Sequence, residues 1–171
     1  MAAKNQCLKK PKKLKQKKAI SLIRPMTMQD VPVLIAIGAR MHQESTYSNL
    51  DYSPKKLMGL AEIITNNPDE YMCAVLEKNK EIIGFCVGFV TPHFFGHDLT
   101  SGDLLIYVLP EFRTGIHGVR LVRAYDEWCT EKGVKEPLLG VSAGITPERV
   151  GALYERMGYT EKYTIYKKPI K

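Results

Sequence analysis

The sequence predicts an α+β fold, and three observations carry that expectation. Its composition is that of a folded protein, with 44% hydrophobic and 25% charged residues over 171 positions. The hydrophobic period changes along the chain, helical between residues 27 and 64, strand-like between 71 and 109, then mixed. Read in order, the segments run β-α-α-β-β-β-α-β-α-β.

The first strand is expected over residues 20–25, stopped by Pro25. Thr27-Met28-Gln29-Asp30 forms a capping box for a helix reaching Glu44, with Pro32 tolerated in its first turn. Ser53 caps a second helix ahead of Pro54. Leu57, Leu60, Ala61 and Ile64 then keep helical spacing until Asn66-Asn67-Pro68. Residues 71–77 and 82–90 are rich in Val, Ile, Phe and Cys and predict a hairpin turning at Asn79-Lys80. A polar, aromatic loop over 91–101 leads to a strand from Leu104 to Leu109. Leu121, Val122, Tyr125, Trp128 and Cys129 mark an amphipathic helix closed by Gly133. Leu138–Ser142 reads as a buried strand. Thr146-Pro147-Glu148 opens a last helix, with Val150, Leu153, Tyr154 and Met157 on one face and Gly158 as its stop. The alternation over 159–168 predicts a final strand.

The formal charge of +7 belongs to one end of the chain. Eight lysines and no acidic residue fall in residues 1–18, which leaves 17 basic against 18 acidic side chains elsewhere. Residues 1–18 are therefore expected to be a disordered basic tail, and residues 19–171 the folded domain. Such a tail can hold nucleic acid or another anionic partner, or act only as a solubilising extension. No apolar run approaches the roughly 20 residues that span a bilayer, so no membrane association is expected. The N-terminus lacks the apolar segment of a secretory signal. Cys7, Cys73, Cys86 and Cys129 form no CxxC pair, which predicts free thiols in a reducing, cytoplasmic setting.

Two catalytic-looking signals do not hold. Gly140-Val141-Ser142-Ala143-Gly144 matches GxSxG, but no histidine follows His117 and no aspartate follows Asp126, so the hydrolase triad cannot be completed in order. His93-x-x-x-His97-Asp98 has metal-like spacing on a loop without a further clustered ligand, and no metal is expected. The segment that matters most is Pro110-Glu111-Phe112-Arg113-Thr114-Gly115-Ile116-His117-Gly118, which joins a strand end to a helix N-terminus. Free amides and the helix dipole there favour a pyrophosphate. An ordinary strand-to-helix turn is the alternative.

With Val108-x-Pro110-Glu111-Phe112-Arg113, the element order resembles the GNAT acyltransferases. The resemblance covers about residues 20–168 and is similar to phage-encoded members. It implies a central mixed, mostly antiparallel sheet flanked by helices, with acetyl-CoA as acyl donor and an amine as acceptor. The family pattern (Gln/Arg)-x-x-Gly-x-(Gly/Ala) then assigns Arg113, Thr114, Gly115, Ile116, His117 and Gly118 to the pyrophosphate, with Ile116 in place of the middle glycine. The backbone near Tyr107 and Val108 would bind the pantetheine arm. Val150-Gly151-Ala152-Leu153-Tyr154-Glu155-Arg156-Met157-Gly158-Tyr159 is similar to the family's late segment, which makes Tyr154 the proton donor to the departing thiolate. A core aromatic is the alternative for Tyr154. Asp103 is the candidate general base, ahead of His93, His97 and Asp98. The loops 46–52 and 92–97 are expected to wall the acceptor site, their aromatic character favouring an apolar amine or a peptide end. Two further readings stay open: a non-catalytic CoA-binding protein acting through its lysine tail, suggested by Ile116, and an acetyltransferase tethered by that tail. A homodimer is also open.

Overall fold

The computed structural model describes residues 21–168, so the expectations for the lysine tail and for Cys7 lie outside the described residues. Its elements are β1 (Ser21–Pro25), α1 (Val31–Glu44), α2 (Pro54–Asn66), β2 (Tyr71–Lys78), β3 (Glu81–Pro92), β4 (Leu99–Val108), α3 (His117–Glu131), β5 (Glu136–Pro137) and α4 (Pro147–Arg156). A single 3₁₀ turn, Pro110–Phe112, follows β4. The sheet order is β1-β2-β3-β4-β5. The first three pairings are antiparallel, and β4 meets β5 in parallel.

The predicted turn forms because Asn79 and Lys80 both take positive φ, 54° and 69°, matching the twist of a two-residue hairpin. Ser53 caps α2 through the Lys56 amide at 3.3 Å. The start of α1 differs from expectation. Helix begins at Val31, one residue past Asp30, whose carboxylate accepts from the Thr27 amide and hydroxyl at 2.8 and 2.9 Å. The same carboxylate takes a forked pair from Arg24 at 2.8 and 2.9 Å, and Arg24 also reaches Glu77 at 3.1 Å. Asp30 therefore joins β1, β2 and α1, and its pKa is held far below the usual carboxylate range.

Period-two geometry sorts the strand residues between two cores. Cys73, Val75, Phe85, Val87, Tyr107 and Leu109 pack with Leu34 and Ile37 of α1 and Ile64 of α2. Leu76, Ile83, Cys86 and Val108 pack with Leu121, Tyr125 and Cys129 of α3. Burial on both faces explains the continuous apolar run of β3. Cys73, Cys86 and Cys129 are buried free thiols. Among the described residues no helix is long and apolar enough to cross a membrane.

Three strand expectations are corrected. β4 begins at Leu99 rather than Leu104, because Thr91 and Pro92 pair with Thr100 and Leu99 and reduce the expected loop to a short hairpin connection. Leu138–Ser142 is not a strand; parallel pairing stops at Ser101↔Pro137, and the chain then diverges from β4. Residues 159–168 form no strand and are almost wholly exposed, for no described neighbour completes a ladder with them.

Candidate functional site

The divergence of β4 from the chain after β5 opens a cavity of about 370 Å³. One wall is β4 from Asp103 to Val108, and the opposite wall is the segment from Gly140 to Thr146. The floor comes from Gly118, Val119 and Val122 of α3, with Arg149, Leu153 and Tyr154 of α4 alongside. Three fastenings hold the two walls apart. The Tyr125 hydroxyl donates to Leu138 O at 2.8 Å, the Gly140 amide donates to Asp103 Oδ1 at 2.6 Å, and the Thr46 amide donates to Ala143 O at 2.9 Å. Tyr125 is itself buried and bonded to Ser101 at 2.7 Å, so the anchor belongs to the α3 core.

Open strand edges carry unused backbone groups. The Leu109 amide donates to Ile83 O at 2.9 Å. Alternation along an antiparallel ladder then turns the backbone of Tyr107 toward β3 and the backbones of Val108 and Ile106 toward the cavity. The Val108 carbonyl is already taken, accepting from Arg113 Nε at 2.9 Å. Of the two residues named for the pantetheine arm, Val108 thus keeps its amide and Tyr107 contributes its side chain as lining. The Tyr107 hydroxyl donates to Glu44 Oε1 at 2.6 Å, and burial with that neighbour pushes its pKa up to about 12.

The turn into α3 places its residues unequally. Gly115 takes φ +103°, which a side chain rarely adopts, whereas Ile116 sits at φ −97° as the N-cap and is 62% exposed. The conformational freedom expected at position 116 is supplied at 115, and the Ile116 side chain does not enter the cavity. No side chain caps α3, so the first-turn amides of His117, Gly118 and Val119 are free of intrahelical partners. A Cβ on Gly118 would come within 3.3 Å of Leu153, so glycine keeps α3 and α4 close there. Thr114, Ile116 and His117 do not line the cavity with their side chains. His117 Nδ1 is buried with no hydrogen-bond partner among the described residues, and burial lowers its pKa.

Arg113 is committed to the protein. Its guanidinium meets Glu44 at 2.7 Å and lies 5.1 Å over the Tyr107 ring, tying the end of α1 to the end of β4. Arg149, which sequence reasoning passed over, donates to the Arg113 carbonyl from the first turn of α4 and lines the cavity. Its place in a Thr-Pro-Glu-Arg helix start was the available signal.

Tyr154 is 8% exposed and faces the cavity from α4. Burial, then the nearby Asp103 and Cys86, raise its pKa, so the phenol stays protonated over the physiological range. Burial also raises the pKa of Asp103, partly offset by the Gly140 amide. His93, His97 and Asp98 sit at the β3–β4 connection and line neither large cavity. That hairpin extends past the sheet, leaving Phe94 and Phe95 82% and 84% exposed. Tyr47 of the 46–52 loop does line the cavity.

A family model described as an acetyltransferase (GNAT) domain matches residues 69–161, more than half of the chain. No curated protein matches by sequence. Among solved structures, the fold is similar to glucosamine-6-phosphate N-acetyltransferase from Arabidopsis thaliana (TM-score 0.70, 17% identity, 89% of this chain and 99% of that one). It is similar to a transcriptional regulator from Bacillus halodurans C-125 (0.72, 17%, 88% and 100%). It is also similar to an aminoglycoside acetyltransferase from an uncultured soil metagenomic sample (0.67, 16%, 89% and 99%).

Proposed function

Because the chain belongs to the GNAT acetyltransferase family, we propose that it is an N-acetyltransferase that moves the acetyl group of acetyl-CoA to a primary amine. One observation carries this reading. Asp103, Tyr107, Val108, Arg113, Gly115, Gly118 and Tyr154, chosen on separate sequence grounds, line one cavity between β4 and the segment that diverges from it.

The cavity fits the donor in three parts. The free amides and positive dipole end of α3 suit the pyrophosphate, with Gly115 letting the backbone approach closely. Arg149 adds a cation beside that turn. The unused Val108 amide on the open edge suits a carbonyl of the pantetheine arm, much as a strand would add there. Residues 19–171 are taken as the acetyltransferase domain.

In the reaction, the amine nitrogen attacks the thioester carbonyl; the C–N bond forms and the C–S bond breaks, its electron pair going to sulfur. Tyr154, protonated and buried, gives its proton to the leaving thiolate. The second oxygen of Asp103 takes the proton that the amine must lose, its raised pKa bringing it nearer the working range of a base. Products are the N-acetyl amide and free CoA. The departure at Ile116 does not favour the non-catalytic reading, since its side chain points away from the cavity.

The test is thermal unfolding with and without acetyl-CoA, followed by turnover of Tyr154→Phe. A ligand at about 100 times its Kd adds roughly 2.7 kcal/mol, a shift of several degrees. A shift no larger than that from an unrelated nucleotide removes the donor assignment. Equal turnover by the native protein and Tyr154→Phe removes Tyr154 from the mechanism.

A further inference from the structure

The segment after α4 brings a primary amine of the chain itself to the rim of the candidate site. Residues 160–168 are exposed, and among the described residues no backbone hydrogen bond fastens them. Side chains hold the segment instead. The Tyr159 hydroxyl donates to Asp126 Oδ1 at 2.5 Å, Lys162 pairs with Glu155, and Lys167 Nζ donates to Thr46 O at 3.0 Å.

The Lys167 ammonium also lies 5.2 Å over the Tyr47 ring, and Tyr47 lines the cavity beside β4. Thr46, its carbonyl partner, bonds to the opposite wall of that cavity through Ala143 O at 2.9 Å. Other lysines point elsewhere. Lys78 meets Phe112, Lys132 meets Asp69 and Lys162 meets Glu155, none of which lines the cavity. No carboxylate pairs with Lys167 among the described residues. One carbonyl and one ring face at an exposed position are a weak hold. The four-carbon stem is flexible, so the amine can leave the ring and turn into the gap.

We propose that Lys167 is a self-acetylation site, its amine staged on Tyr47 at the cavity rim and acetylated by the same chain. This rests on the acetyl-transfer reading and adds a modification site to it. The Lys167 ammonium first loses one proton to solvent. Nζ then attacks the thioester carbonyl; the C–N bond forms, and the C–S bond breaks with its electron pair going to sulfur. Tyr154 gives the thiolate its proton, and Asp103 takes the proton that the acylated nitrogen loses. Free CoA and Nζ-acetyl-Lys167 result. A tethered amine needs no binding step of its own, which raises its effective concentration at the thioester above that of a lysine elsewhere on the surface.

The experiment incubates the full chain with acetyl-CoA and no added amine, after the thermal shift with acetyl-CoA has been recorded. Mass spectrometry of the digested chain then follows acetylation at each lysine over time. Lys167 should be acetylated at least about 10-fold faster than Lys162 and Lys168, its neighbours on the same exposed segment. The rate per chain should not change with chain concentration, and in chain unfolded by urea the three positions should react alike. A normal acetyl-CoA shift with Lys167 no faster than Lys162 and Lys168 overturns the self-acetylation site alone. So does a rate per chain that rises with chain concentration, which would mean transfer between chains. No acetyl-CoA shift overturns the donor reading and the modification site with it.

Discussion

The two edges of β4 are built from the same ten residues and do opposite work. Toward β3 the strand pairs from Leu99 to Val108, and the pairing is close enough that a Cβ on Gly84 would lie 2.6 Å from Tyr107 O. Toward β5 it pairs only at Thr100 and Ser101. Beyond that point the neighbouring chain is held off by Tyr125, Asp103 and Thr46, and the backbone of β4 is left to line a cavity. The closed edge makes stability and the open edge makes a site. An inner strand edge left unpaired is costly unless water or a ligand takes its amides, which is why the gap is the candidate site.

The sharpest way to break this contrast is to crowd each edge. Gly84→Ala on the closed edge should cost about 3 kcal/mol in chemical denaturation, since the β4 backbone at Tyr107 and Val108 must shift. Next is Tyr154→Phe on the open side, which should lower turnover about 100-fold with little change in melting temperature or acetyl-CoA affinity. Gly115→Ala meets no atom within 4 Å, so its cost of about 1–2 kcal/mol is backbone strain at φ +103° alone, and it should also weaken acetyl-CoA binding. If Gly115→Ala destabilises as much as Gly84→Ala and leaves binding untouched, the two edges do not differ as described. Lys80→Gly, in the turn that sets the closed edge, should stabilise by about 1 kcal/mol because Lys80 holds φ 69°.

The smallest effect concerns the fastening of the open wall. Folding raises the pKa of Asp103, so the folded chain holds that proton more tightly than the unfolded one. Stability from this group is full below the unfolded pKa and declines as pH rises through the folded value. Asp103→Asn should remove that decline, giving a flatter stability profile between mildly acidic and neutral pH in thermal melts. Its turnover should fall if the carboxylate accepts the amine proton. Unchanged turnover, with the flatter profile, would leave Asp103 a fastening only.

Much of the closed half was legible along the chain because its signals are local. Asn79-Lys80 specifies a two-residue turn, Ser53-Pro54 a capped helix start, and Gly133 and Gly158 helix stops at φ +71° and +99°. The candidate site was legible as a set of residues on two helices and a strand. It was not legible as a geometry. The apolar run at 138–142 reads as a buried strand and the alternation over 159–168 as another, yet a strand needs a partner, and no described neighbour pairs with either stretch. Arg113 illustrates the same limit: position suggests a phosphate ligand, whereas Glu44, 69 positions earlier in the chain, claims its guanidinium.

The sequence by itself therefore determined the order of elements from β1 to α4, the two-residue turn between β2 and β3, and the glycine-bearing turn that leads into α3. All of these follow from period, propensity and capping within a few residues. Tertiary structure decided the width of the gap beside β4, the transfer of backbone freedom from position 116 to Gly115, and the commitment of Arg113 to Glu44. Each depends on contacts between segments far apart in the chain. Packing and hydrogen-bond satisfaction across that distance leave no periodic trace in the sequence.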